Sequence, residues 1–537
     1  MKTLHPTNLK RAELRKAFRA AFNSLYPYNF PTSGDLKVTN KHYTAKGWLH
    51  QKRYLIPPLL AFIIPLIVRV IPEILMGPYV IGFDTIAFYV PNTLDWLKNG
   101  IEPFAFISSA PLIDILLMGI ASAGASIVFA LKLLAPLILG LLGFSVYFYA
   151  SKALSWSPKK SLLVALLSTL YFVALRVSWD MLRIELALIF LFPLLILLQK
   201  NKLSIKNGLL LSLLMILVVF TNQLVAVIMF AIVIATTASL FFKKERAELP
   251  KLFALAVPSI FLFLTIFYMN YFLISLPTAG YSMDFGGGFE TLIGASGPQL
   301  ILDTLGFLAF CYLPLVPLLV FSARRFKSNI QLKAWIVWTF IPIILVLVSQ
   351  NAFFTGGIPT FRWILLLTYP LTFYAVAGLS AIKWNWYKVS VGAILVVLSL
   401  SFLVSTNSGA ISIYGTFPSY IPKTMLQNTI DLSDCQDTAN ALIWAKNNMP
   451  SNGHLFAHEA FYGQAILTLD VDQLIPYYYA TPTQAVSQLN ATNQSYPLYL
   501  IWWVNGTGWY GQPTVPSSFQ ELYCSGNIAI FNYTVNI

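Results

Sequence analysis

The chain has 537 residues, of which 57% are hydrophobic and only 10% are charged, and its net charge is +14. Soluble domains carry charge on about a quarter of their residues, so this composition excludes an ordinary soluble enzyme. Apolar runs of about 20 residues, the length of a membrane-spanning helix, recur from Leu55 to Val404. These runs do not alternate between polar and apolar residues, which excludes a transmembrane strand barrel.

Basic residues are concentrated at the N-terminus and acidic residues at the C-terminus. Up to Arg53 eleven Lys and Arg stand against two acids, whereas after Thr406 two Lys stand against seven acids. Because basic residues stay on the cytoplasmic side, we predict a cytoplasmic N-terminus and an extracytoplasmic tail. This bias accounts for the positive charge without nucleic acid, so membrane lipid is an expected partner and nucleic acid is not.

The predicted fold class is an all-α polytopic transmembrane bundle of about 11–13 helices with a small C-terminal extracytoplasmic α/β domain. We predict a basic cytoplasmic segment at 1–54, a transmembrane domain at 55–405 and an extracytoplasmic domain at 406–537. The predicted spans are 55–75, 126–150, 161–178, 184–199, 207–222, 224–242, 252–275, 300–321, 334–350, 362–382 and 389–405.

A long outer loop at 76–110 follows the first span. The apolar segment Pro111–Gly119 comes next, before the span at 126–150 and the basic loop at Lys159. If the basic N-terminal segment and the basic loop at Lys159 are both cytoplasmic, the number of spans between the outer loop and Lys159 must be odd. In an 11-span chain this number is one. We therefore predict that 111–119 is a helix that enters the membrane only halfway.

The tail has features of an external domain. It opens with a helical stretch, continues with short strand-like runs, and contains all four Asn-x-Ser/Thr triplets at Asn490, Asn493, Asn505 and Asn532. Cys435 and Cys524 bracket the domain and are the only cysteines outside the spans. An oxidising outer compartment permits a disulfide between them, and we predict one, with two free thiols as the open alternative.

Ionisable residues at membrane depth are functional candidates because burying them is costly. Asp84, in GFDTIAFYVP, lies just beyond the first span, where its carboxylate can act as a general base or a metal ligand. The structural alternative is a helix N-cap, since Asp is a preferred capping residue.

A second cluster occupies the outer turn RVSWDMLRIE, with Arg176, Asp180, Arg183 and Glu185. Spacings of four and three predict that the first three residues share one helical face. Both a functional site and a mutually neutralising set of ion pairs remain open.

A third candidate, Arg362, lies in GGIPTFRW at the outer start of an apolar helix. A guanidinium there suits a phosphate at headgroup level, through paired hydrogen bonds. The alternative is an interfacial anchor beside Trp363.

Taken together, this layout resembles the GT-C superfamily of membrane glycosyltransferases. Its members include protein O-mannosyltransferases, aminoarabinose transferases and the oligosaccharyltransferase catalytic subunit. The resemblance rests on Gly-x-Asp at Gly82–Asp84, the proline-containing segment SSAPLIDILL, the turn SWDMLRIELA, the helix start FRWILLLTYP and the external tail.

The resemblance implies inverting transfer of a sugar from a polyprenyl (dolichyl) phosphate donor to an acceptor glycan, lipid or protein on the outer face. It implies that Asp84 and Asp180 are the catalytic carboxylates, with Asp84 as the catalytic base or metal-side carboxylate, and that Arg362 and Arg183 bind the donor phosphate. A divalent cation, Mg²⁺ or Mn²⁺, would be held by Asp84, Asp180 and Glu185, and no other cofactor is expected.

The chain departs from the patterns of two branches of this superfamily. The Trp-Trp-Asp-Tyr-Gly motif of oligosaccharyltransferases is absent, and the corresponding place reads HLFAHEAFYG, from His454 to Gly463. The paired Asp-Glu of the O-mannosyltransferases is also absent, since Asp84 is followed by Thr85. A transporter or flippase, or a catalytically inactive scaffold, are the alternative functions.

Overall fold

A computed structural model describes residues 55–80, 82, 85–200, 204–242, 249–269, 298–322, 329–349, 360–404, 430, 432–477, 482, 497–504 and 515–533. The predicted N-terminal segment 1–54 and Asp84 lie outside these residues. The helices are α1 Ile56–Leu75, α2 Val90–Asn99, α3 Pro103–Ser108, α4 Leu112–Ser122, α5 Ile127–Phe148, α6 Pro158–Leu170, α7 Phe172–Asp180, α8 Leu182–Leu198, α9 Ile205–Thr221, α10 Gln223–Phe242, α11 Leu249–Tyr268, α12 Pro298–Tyr312, α13 Val316–Ser322, α14 Ile330–Ser349, α15 Thr360–Leu366, α16 Thr368–Ala381, α17 Asn385–Val404, α18 Leu432–Asn448 and α19 Glu459–Ala465.

The described helices form a multi-pass membrane bundle, as predicted. Eight are long and apolar enough to cross a bilayer, and the bent pair α6 and α7, which meet at 56°, makes a ninth. The 17-residue helices α8 and α9 occupy the two remaining predicted spans. Helix α4 has 11 residues, which at about 1.5 Å per residue is too short to cross a hydrocarbon core of about 30 Å.

In two places important here, a single non-helical residue separates consecutive helices. Asn222, between α9 and α10, adopts φ −159° and ψ 124°, and its Oδ1 accepts a hydrogen bond from the Val225 amide at 3.0 Å. Met181, with φ −85° and ψ 48°, ends α7 before α8 begins. Arg183 therefore belongs to the next helix, and the prediction that it shares a face with Arg176 and Asp180 is wrong.

A buried amide ties three helices together at the predicted inner side. Gln331 on α14 is 1% exposed, and its Oε1 accepts hydrogen bonds from Tyr149 Oη at 3.1 Å and Gln199 Nε2 at 2.9 Å. Its Nε2 donates to the Leu195 carbonyl at 2.9 Å. With both ends bonded, this side chain has a structural role.

The C-terminal domain is the predicted small α/β unit. The strands are β1 His454–His458, β2 Leu474–Tyr477, β3 Leu498–Trp503, β4 Phe519–Ser525 and β5 Ile528–Tyr533. The sheet has the order β2-β1-β3-β5-β4, in which β1 pairs parallel to β2 and β3, and β5 pairs antiparallel to β3 and β4. Helix α18 packs on β4 and β5, and α19 packs beside β1 and β2.

The predicted disulfide between Cys435 and Cys524 is wrong, because both cysteines are outside any disulfide. Cys435 is buried on α18, whereas Cys524 is exposed on edge strand β4. Ser525 hydrogen-bonds Asp437 of α18 at 2.8 Å, so that face of the strand meets the helix. Successive strand side chains point to opposite faces, which turns Cys524 away from α18.

His458 lies in the core of this domain and caps α19. It has no exposed surface, and its Nδ1 accepts a hydrogen bond from the Ala460 amide at 3.1 Å. Burial lowers its pKa to about 3. The structure therefore places His458 inside the domain, as a neutral imidazole at the start of a helix.

This burial predicts that the domain weakens in acid. Above pH ~6.5 the imidazole is neutral in both the folded and the unfolded state, so the stability of the domain does not depend on its protonation. As the pH falls below this value, the unfolded state binds a proton, whereas the buried imidazole of the folded state binds one only near pH 3. We expect the free energy of opening of β1 and β3 to fall by about 2 kcal/mol between about pH 7.5 and about pH 5. Hydrogen exchange corrected for intrinsic rates measures this change. In His458→Asn, which can still cap the helix, this fall in the free energy of opening should vanish. An unchanged dependence on pH would show that His458 is not its cause.

The C-terminal domain docks on the loop at 76–110, which is the predicted first outer loop. Helix α19 packs on a π-helical turn, Thr85–Tyr89, and Gly463 lies directly against the Ile86 carbonyl. Tyr79 Oη donates to Gln436 Oε1 at 2.8 Å. The residues that directly follow Asp84 are thus held by the tail.

Replacing Gly463 with alanine is expected to loosen this docking. A Cβ at this position has no room beside the Ile86 carbonyl, and overpacking of this kind costs about 1–3 kcal/mol. Limited proteolysis of the tail in the full-length protein should proceed faster in Gly463→Ala. Gly119→Ala is the matched control, because a Cβ there meets nothing within 4 Å; equal proteolysis of the two variants would contradict the contact.

Candidate functional site

Arg183 and Asp114 form a buried ion pair near the ends of two helices. Arg183 Nη2 donates to Asp114 Oδ2 at 2.6 Å, and the side-chain exposures are 15% and 0%. The Arg183 Cζ also lies 5.2 Å from the centroid of the Tyr89 ring. The predicted phosphate-binding residue Arg183 is therefore oriented by a carboxylate from α4 and an aromatic ring from the first outer loop.

This contact brings together the chain segments of the two predicted catalytic acids. Asp84 precedes Tyr89 by five residues, and Asp180 precedes Arg183 by three. Asp84 itself lies outside the described residues, and so does the side chain of Asp180, whose backbone ends α7. Their roles as catalytic acids stay predictions, but their neighbours in sequence are in contact.

Glu185 lies in the first turn of α8 and is completely buried. Neither carboxylate oxygen has a hydrogen-bond partner among the described residues, and the same is true of Tyr369 Oη. Glu185 interacts electrostatically with both Arg69 and Tyr369. A buried carboxylate without a hydrogen bond is unfavourable, so this group calls for water, a proton or a cation.

Charged residues of α1 that the sequence analysis did not single out lie beside this group. Arg69 Nη1 donates to Glu73 Oε1 at 2.7 Å, and Lys132 Nζ of α5 approaches Glu73 Oε2 at 3.3 Å. Arg69 is 1% exposed and Glu73 is 8% exposed. Two opposite charges four residues apart inside the first apolar run were a readable signal of this pair.

Arg362 is half-buried in α15, and its Cζ lies 5.8 Å from the Phe361 ring centroid. Helix α15 packs against α7, which ends at Asp180, and against α12 and α14. Arg362 and Asp180 therefore belong to neighbouring helices, as a shared site requires.

The described residues contain no group of three His, Cys, Asp or Glu able to hold a metal ion. Two of the three predicted ligands, Asp84 and Asp180, have side chains outside that set. The third, Glu185, has carboxylate oxygens with no hydrogen-bond partner in the described part of the chain, and a hard cation prefers oxygen ligands. The predicted metal site therefore stays a prediction.

No protein-family model and no curated protein matches this chain. Among solved structures, the chain is similar to ArnT from Cupriavidus metallidurans bound to undecaprenyl phosphate, with 13% identity, coverage of 92% of this chain and 99% of that chain, and a TM-score of 0.48. It is also similar to the arabinofuranosyltransferase AftD from Mycobacteria, with 14% identity and a TM-score of 0.47. That match covers 90% of this chain and 40% of AftD.

Proposed function

We propose that this chain is a membrane glycosyltransferase of the GT-C type. It transfers a sugar from a polyprenyl-phosphate carrier to an acceptor on the extracytoplasmic face, with inversion at the anomeric carbon. The observation that supports this proposal most is the contact of Arg183 with Asp114 and Tyr89, because it joins the segments that carry Asp84 and Asp180.

The proposed reaction uses carboxylates on the acceptor and guanidinium groups on the donor. Asp84, with Asp180 as the second proposed catalytic carboxylate, accepts the proton of the acceptor hydroxyl, whose oxygen attacks the anomeric carbon. The bond from that carbon to the phosphate oxygen breaks, and its electron pair leaves with the polyprenyl phosphate. Arg183 and Arg362 stabilise the negative charge that develops on this leaving group.

A divalent cation would reinforce this charge stabilisation. Mg²⁺ and Mn²⁺ prefer oxygen ligands, and the buried Glu185 carboxylate has no hydrogen-bond partner among the described residues. We propose Glu185, Asp84 and Asp180 as the ligands; a bound cation would act as a Lewis acid on the phosphate oxygens.

The function is tested with purified protein and a panel of polyprenyl-phosphate sugars, with Mg²⁺, Mn²⁺ or a chelator. We expect one donor to yield free polyprenyl phosphate together with an equal amount of glycosylated acceptor. Movement of an intact donor across a proteoliposome membrane, without cleavage, would replace the proposal with a flippase. Binding of donors with neither cleavage nor movement would indicate an inactive scaffold.

The proposed orientation places the N-terminus in the cytoplasm and the C-terminal domain outside. Cys524 is the exposed cysteine among the three, since Cys311 and Cys435 are buried. A membrane-impermeant maleimide added to intact cells should therefore label the wild type, and Cys524→Ser should abolish the signal. Labelling that requires lysis of the cells would reverse the orientation.

A further inference from the structure

Arg69 is a completely buried cation in the first membrane helix, and the proposed reaction gives it no task. It is 1% exposed on α1. Burying a guanidinium at membrane depth is unfavourable, so a buried arginine there is expected to make a specific interaction.

The Arg69 guanidinium binds the backbone immediately before Asp180. Its Nε donates to the Ser178 carbonyl at 3.1 Å, and its Nη2 to the Trp179 carbonyl at 3.4 Å. The Arg69 Cζ lies 5.1 Å from the centroid of the Trp179 ring. The last carbonyls of a helix lack partners within it and carry partial negative charge, so a cation here caps the end of α7.

Neighbouring charges hold the guanidinium in this position. The third hydrogen bond of the guanidinium runs from Arg69 Nη1 to Glu73 Oε1 at 2.7 Å. Lys132 holds Glu73 in turn, because its Nζ donates to the Glu73 backbone carbonyl at 2.8 Å. Glu185, in the first turn of α8, interacts electrostatically with Arg69. The hydrogen bonds of Arg69 thus tie the end of α7 to α1.

We propose that Arg69 is a positioning residue for the transferase reaction: by binding the carbonyls of Ser178 and Trp179 it fixes the helix end from which Asp180 enters the site. This inference rests on the proposed function, in which Asp180 acts at the reacting atoms. Arg69 itself touches neither donor nor acceptor.

The central variant is Arg69→Lys. Lysine keeps the charge, but its single ammonium lacks the planar fork that bridges two carbonyls and Glu73. A displacement of about 1 Å in a catalytic group costs about 100-fold in rate, so we expect kcat to fall about 100-fold while the donor KM stays within about threefold. In Arg69→Ala, added methylguanidinium should restore part of kcat, because it can refill the same position.

The matched control is Glu73→Gln, which removes the charge partner but leaves the two carbonyls for Arg69 to bind. Removing one partner of a buried ion pair lowers stability, so the control is compared as folded protein, in which both carbonyl contacts remain and we expect kcat to fall less than about tenfold. A loss equal to that of Arg69→Lys would assign the effect to the ion pairs and overturn the proposal. A donor KM that rises with kcat unchanged would overturn it as well, since it would place Arg69 in donor binding.

A second measurement does not depend on activity. Hydrogen exchange of the peptide covering residues 175–185 should accelerate at least about tenfold in Arg69→Lys, with little change in β1 and β3 of the C-terminal domain. If the wild type releases no polyprenyl phosphate but this local acceleration is seen, the proposed function fails while the clamp on the helix end stands. If residues 175–185 exchange at the wild-type rate in Arg69→Lys, then Arg69 does not hold the end of α7, and the proposal is overturned whatever the activity.

Discussion

Replacing Asp84 with asparagine is expected to lower the rate of polyprenyl-phosphate release by about 1000-fold. Asparagine keeps the size of the side chain but cannot accept the acceptor's proton at neutral pH. The measurement is single-turnover release from the preferred donor at saturating acceptor, which separates the chemical step from product release. With a chelator present, donor binding should change little, because the remaining phosphate contacts are assigned to Arg183 and Arg362.

Asp95→Asn is the matched control for this variant. Asp95 lies on α2 in the same outer loop, and its Oδ1 accepts a hydrogen bond from Asn99 at 2.8 Å near the surface. It should release polyprenyl phosphate at the wild-type rate. If Asp84→Asn also keeps that rate, the chain is still a transferase but Asp84 is not its base, and Asp180→Asn becomes the decisive variant.

The second large effect is expected for Asp114→Asn, which should cost about 3–5 kcal/mol of stability and abolish activity. Asp114 is completely buried and is hydrogen-bonded by Arg183, which is itself only 15% exposed. Removing one partner of a buried ion pair leaves the other charge without compensation, which is the origin of this large cost. In detergent, the midpoint temperature of thermal aggregation of the full-length protein should fall well below that of the wild type.

The double variant Asp114→Asn with Arg183→Gln separates stability from function. Removing both charges eliminates the uncompensated cation, so most of the lost stability should return. Activity should stay lost, because Arg183 is proposed to stabilise the leaving phosphate. Recovery of activity together with stability would show that the pair is purely structural and would leave Arg362 as the proposed phosphate ligand.

The membrane architecture was predictable because its signals are local. Each apolar run of about 20 residues specifies its own helix, independent of distant partners. The helix break at Asn222 was predictable for the same reason, since the polar pair Asn222 and Gln223 lies between two apolar runs and marks a turn. The short helix at 112–122 followed from length and charge parity.

The site was predictable only in part, because its contacts join distant segments. Arg183 pairs with Asp114, 69 residues earlier, and neither spacing nor composition relates the two. Spacing instead suggested Asp180 as its partner on a shared face, and the break at Met181 removes that geometry. The disulfide failed for a similar reason: two cysteines bracket the domain, but the direction of Cys524 depends on which strand face meets α18.

The separation in sequence between Arg69 and its carbonyl partners constrains how the protein is made. Arg69 reaches its carbonyl partner only after 109 further residues have been added, which at about 5–20 residues per second takes roughly 5–20 s. During that interval α1 must already be leaving the translocon. Glu73, one turn later on the same helix, can neutralise Arg69 without any other part of the chain. The first span thus carries its own counter-ion from the moment it is made, and the spacing of four residues lets the pair form within the helix.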